Sequence, residues 1–91
     1  MLTIPSAIIK DADNSEISIT HGRIGKWNEY VEFQTHDSKT RYVAQKSRGD
    51  IDVWFVFKIK KGKRGAVETL YTSKHFDEAV SYAYSACNLY L

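Results

Sequence analysis

Residues 51–71 read IDVWFVFKIKKGKRGAVETLY, and the reading of this stretch decides the rest. From 51 to 60 the side chains alternate: Val53, Phe55, Phe57 and Ile59 fall on one side of an extended chain, and Trp54, Val56, Lys58 and Lys60 on the other. The wholly apolar set predicts the core side; the mixed set predicts the outer side. Residues 61–65, KGKRG, are too rich in glycine and charge to continue a strand, and β-forming residues resume from 66 to 71. The two runs therefore predict an antiparallel hairpin with a basic tip.

After the hairpin, Thr72 or Ser73 offers a hydroxyl that accepts a first-turn backbone N–H, and Asp77 and Glu78 suit the positive end of a helix dipole. At 100° per residue, Phe76, Ala79, Val80, Ala83, Tyr84, Ala86, Cys87, Tyr90 and Leu91 form one broad stripe, with Asp77, Glu78, Ser81, Ser85 and Asn88 opposite. This predicts a C-terminal helix lying on the sheet by a face of small residues.

Before the hairpin, residues 41–46 predict a strand and 47–50 a turn. Residues 30–35 predict a strand with Val31 and Phe33 on one face, joined to the next by a loop at 36–39. Residues 16–20 predict another, with Ile17 and Ile19 together, and Gly22 and Gly25 bracket a turn before Trp27. The apolar run at 4–9 reads as a short edge strand, closed by a turn at 11–15. In a chain of 91 residues with 43% apolar content there is material for one core. The expected fold is a single α+β domain spanning 1–91, an antiparallel sheet of about five strands with one C-terminal helix packed on one face.

The formal net charge of +2 hides a three-part distribution. Residues 1–37 sum to −3, residues 38–64 to +7, and residues 65–91 to −2. The basic middle holds Arg41, Lys46, Lys58, Lys60, Lys61, Lys63 and Arg64. With Trp54 on the strand face that carries Lys58 and Lys60, these cations form a candidate surface for a phosphate backbone or an acidic partner. The same residues also suit a solvated strand face and an ordinary hairpin tip. Tyr82 and Leu89, at the border of the helix stripe, are a candidate contact for a homodimer.

Other chemistries lack equipment. His21, His36 and His75 are scattered, and neither a Gly-x-Ser-x-Gly elbow nor a phosphate-cradling glycine loop is present. The one cysteine, Cys87, has no zinc-ligand spacing to any histidine and falls on the helix core stripe, where it reads as a small buried hydrophobe. Arg48-Gly49-Asp50 reads as a turn. No catalytic residue, metal or cofactor is expected. A lone cysteine makes no intramolecular disulfide, the start MLTIPSAIIK lacks a charged n-region and a signal-length apolar run, and no 18 consecutive apolar residues occur. Cytoplasm is the expected location.

From Trp54 to Leu91 the sequence WFVFKIKKGKRGAVETLYTSKHFDEAVSYAYSA and its last residues resemble the DNA-binding domains of the AP2 and phage-integrase arm type. The likeness rests on an aromatic-led strand, a basic glycine-containing turn, a second strand, a Thr/Ser helix start, and Glu78-Ala79 opening an alanine-rich helix. The resemblance implies a helix that supports a sheet whose outer face enters the major groove of duplex DNA, with Trp54, Lys58, Lys60 and Arg41 as contacts. Glu68 would oppose phosphate there, and the strands before Arg41 have no counterpart in that family. In type rather than sequence, the chain is also similar to small phage or mobile-element inhibitors, anti-CRISPR proteins among them. That likeness implies direct contact with a host protein or nucleoprotein complex.

Overall fold

A computed structural model describes residues 3–24, 28–35, 40–47, 52–60 and 66–89. Its elements run α1 (Ser6–Asn14), β1 (Ile17–Ile24), β2 (Asn28–Thr35), β3 (Thr40–Lys46), β4 (Trp54–Lys60), β5 (Ala66–Ser73) and α2 (Phe76–Leu89). The five strands form one antiparallel sheet in the order of the chain, β1-β2-β3-β4-β5. This is the expected α+β fold with its C-terminal helix. The expected turns at 36–39 and 61–65, most of that at 47–50, and Gly25, Trp27, Tyr90 and Leu91 lie outside the described residues.

The helix α2 packs across β2 to β5 with the expected stripe: Ala79, Val80, Ala83, Tyr84, Ala86 and Cys87 are buried. Three alanines let the helix approach closely, and the bulk that fills the interface comes from the sheet, from Phe33, Trp54 and Val56. Edge-to-face contacts lock the two layers. The Trp54 and Phe76 rings are 4.9 Å apart at 60°, and those of Phe33 and Tyr84 are 5.5 Å apart at 61°.

Three expectations are corrected. First, residues 4–9 are not an edge strand, because Ser6–Asn14 is a helix. Ile4, Ile8 and Ala12 recur every four residues, a spacing that on this helix stacks them along one side, and all three pack on the core. Pro5, at φ −53°, sets the entry, and its carbonyl accepts from the N–H groups of Ile8 and Ile9. Second, Gly22 does not turn the chain but sits within β1 opposite Tyr30. A Cβ there would come within 3.1 Å of the Tyr30 hydroxyl, so the missing side chain gives that ring its place.

Third, the faces of β4 are reversed. Trp54 and Val56 are the core residues, whereas Phe55 is 39% exposed and Phe57 and Ile59 are half-buried on the face away from α2. Both sets are apolar at their first two positions, so alternation alone does not select between them. Selection comes from the neighbours: Ala44 and Tyr71 flank Val56 on the helix side, and Gln45 and Thr72 flank Phe55 on the other. The register between β4 and β5 skips Leu70, which turns inward against the core.

Candidate functional site

The register distributes the expected basic surface over both faces and both ends of the sheet. Trp54 is 2% exposed and belongs to the core, so it is corrected from a surface contact to a packing residue. Lys58 and Lys60 lie on the side of the sheet that carries α2, at the end where β4 finishes. The Lys58 stem is half-buried and its Nζ reaches Glu68 Oε2 at 3.5 Å. Lys46 pairs with Trp54 in the register and therefore stands at the opposite end of the sheet. Arg41 pairs with Ile59 and shares its open face, where Nη1 meets Glu32 Oε1 at 3.1 Å. Lys61, Lys63 and Arg64 lie outside the described residues.

The groove-reading role that the resemblance implies requires its residues on the face away from the helix. Of the four, Arg41 alone stands there. Arg41, Lys58 and Lys60 nevertheless gather at one end of the sheet, since β3 begins where β4 ends, with Thr40 opposite Lys60 and Tyr42 opposite Lys58. Both ion pairs involve part-exposed groups, and such pairs contribute no more than about 1 kcal/mol.

The open face is the feature that sequence reasoning missed. Its residues fall in three rows across the strands: Gly22, Tyr30, Gln45, Phe55 and Thr72; then Thr20, Glu32, Val43, Phe57 and Thr69; then Ser18, Gln34, Arg41, Ile59 and Val67. The apolar and aromatic part of this face lies on β3 and β4, in Val43, Phe55, Phe57 and Ile59, and small or hydroxyl residues line β1. Val43, though outside the helix-side core, is buried by its row neighbours. Around it lies a shallow hollow of about 310 Å³ bounded by Tyr30, Glu32, Arg41, Gln45, Phe57 and Ile59. The signal was present in residues 51–60, which are apolar on both sides of the strand and so carry more apolar surface than one helix covers.

Other candidate positions are quieter. A cleft of about 340 Å³ between the N-terminal segment and the start of α2 is lined by Ile4, Ile9, Val31, Trp54 and Phe76, with His21, Arg23 and Glu29 among its polar groups. Arg23 and Glu29 face each other at 3.6 Å. Cys87 is buried, and burial pushes its thiol up to about 11, so it stays protonated and unreactive at neutral pH. Among the described residues no three His, Cys, Asp or Glu side chains gather as a metal site, and no helix is long and apolar enough to cross a membrane. Tyr82 and Leu89, two turns apart on α2, are both exposed, Leu89 at 81%. Tyr82 is covered on one side by Tyr71, stacked 4.5 Å away.

No known protein family, curated protein or solved structure matches this chain.

Proposed function

We propose that this protein is a non-enzymatic nucleic-acid-binding accessory protein of the DNA-associated kind, holding a phosphate backbone at the basic end of its sheet. One observation carries the reading: the register brings Arg41, Lys58 and Lys60 to a single end, and the sequence continues from Lys60 into Lys61, Lys63 and Arg64. Cations clustered in this way neutralise phosphates and release counterions.

A salt-titrated anisotropy assay on a labelled 20-nucleotide probe, duplex or single-stranded, tests this. Affinity is expected to fall by at least ten-fold between 50 and 200 mM salt, as roughly three or more phosphate contacts require. Lys60→Ala and Lys63→Ala should each lower the slope of log affinity against log salt by about one. Absence of binding to both probes at 50 mM salt overturns the reading.

The second reading, a phage or mobile-element inhibitor acting by direct protein contact, is favoured by the open face. Aromatic and aliphatic side chains with an arginine among them have the composition of a protein interface. A defined partner captured after nuclease treatment, and lost with Phe55→Ala, would favour it over nucleic-acid binding. Cytoplasmic location and a homodimer through Tyr82 and Leu89 belong with these proposals.

A further inference from the structure

We infer that the open face of the sheet is a stacking platform for unpaired bases, so that the nucleic acid this protein takes is single-stranded DNA. The inference rests on the nucleic-acid reading above and adds to it which form of DNA is bound and by which residues. Phe55 and Phe57 are two residues apart on β4 and therefore stand about 7 Å apart on the same face, with Tyr30 two strands away at about 10 Å. Phe55 is exposed, and Phe57 and Tyr30 are each exposed in part. All three are on the side that α2 leaves uncovered.

Rings on an exposed sheet offer flat apolar surface to any base that can leave its own stack. The bases of a duplex cannot. They are paired inside the helix and stacked about 3.4 Å apart, so they present edges and phosphates rather than faces. A duplex groove is entered instead by cations and amides projecting from a sheet, and on this face Arg41 is the one cation among the described residues, with Glu32 beside it. The face is thus poorly suited to a groove and well suited to splayed bases.

Charge supports the same occupant. The aromatic row on β4 runs toward Ile59 and its partner Arg41, so bases laid on Phe55 and Phe57 bring their backbone past the cation of this face. Gln45 and Thr72 flank Phe55, and Thr69 flanks Phe57, placing amide and hydroxyl groups where base edges would fall. The remaining neighbours, Val43, Ile59 and Val67, are apolar. These three match deoxyribose and a thymine methyl.

The test compares oligo-dT, a duplex of the same length, and oligo-U on the full chain and its variants. Oligo-dT is expected to bind at least ten-fold more tightly than duplex, and more tightly than oligo-U. Phe55→Ala should weaken oligo-dT binding by about five- to a hundred-fold and leave the salt slope unchanged, whereas Lys60→Ala should reduce the slope. Phe55→Trp should retain affinity, and its indole emission should be quenched by the bound strand. Because Phe55 is partly exposed, thermal melts of the Phe55 variants should stay close to that of the parent. Phe57→Tyr tests the half-buried neighbour without opening a hole in the packing.

Equal affinity for oligo-dT and duplex, indifferent to Phe55→Ala, overturns the inference while leaving nucleic-acid binding standing. No binding to any probe overturns both. Tighter binding to oligo-U overturns the choice of DNA. A Phe55-dependent homodimer in sedimentation, with no oligonucleotide competing for it, overturns the platform in favour of a second copy of this chain.

Discussion

Glu16 adopts φ 57°, the left-handed conformation that follows many helices and that glycine fills without steric penalty. Its N–H reaches the Asp13 carbonyl at 3.4 Å, closing α1 before β1 begins. Replacement by glycine removes the clash between Cβ and backbone but adds freedom to the unfolded chain. Glu16→Gly is therefore expected to stabilise by up to about 1 kcal/mol in urea unfolding, with Glu16→Val destabilising by a comparable amount. Cys87 makes a second prediction at this scale. The folded chain holds its thiol proton up to about 11, from an ordinary value of 9.0, because burial disfavours the thiolate. The stabilisation is fully present below pH 9 and is lost as pH rises toward 11, the interval in which the unfolded thiol has ionised and the folded one has not. The loss should amount to about 2–3 kcal/mol by pH 11, and Cys87→Ala should flatten that limb of the stability curve. Tyr84, raised chiefly by burial, acts in the same direction.

At the scale of elements, α1 is the least anchored part of the fold, since it packs mainly against the edge strand β1. A polar tie joins it to the main helix: the Tyr84 hydroxyl of α2 donates to Asp11 Oδ2 of α1. A hydrogen bond to a charged acceptor contributes about 1.5–3 kcal/mol when buried and less when the acceptor is exposed, as Asp11 is. Tyr84→Phe should therefore cost about 1 kcal/mol, because the ring keeps its contact with Phe33. Hydrogen exchange should quicken in α1 well before it does in the central strands, whereas exchange that quickens equally everywhere would contradict this picture of the tie. Ser73 shows a local device of another kind. Its Oγ accepts from the His75 N–H at 3.0 Å and donates to Glu78 Oε2 at 2.7 Å, joining the end of β5 to the first turn of α2. The expected hydroxyl at this boundary is thus present, though it serves the residue before the helix rather than a helical N–H. The strands were legible because the sequence between them is polar or glycine-containing and their apolar positions alternate. Residues 4–9 were misread because Ile4, Ile8 and Ile9 satisfy a short strand and one turn of helix equally well.

For the whole molecule, the sequence by itself determined the five strands from residue 16 onward, the terminal helix with its buried stripe, and the concentration of positive charge in the middle of the chain. Each of these rests on local periodicity or on counting, and neither needs knowledge of which strands become neighbours. What only the tertiary structure decided was the assignment of faces. Residues 51–60 present apolar side chains on both sides, so the choice of Trp54 and Val56 for the core and Phe55 and Phe57 for the open face depends on Ala44, Tyr71 and α2, all distant in sequence. The same register parted Arg41 from Lys58 and Lys60, because pairing Arg41 with Ile59 commits it to the opposite side. In a sheet with a period of two, a shift of one residue in pairing moves every side chain to the other face. Side-chain alternation along a strand is a local property, but which alternate set meets the helix is settled only when the sheet and helix pack together.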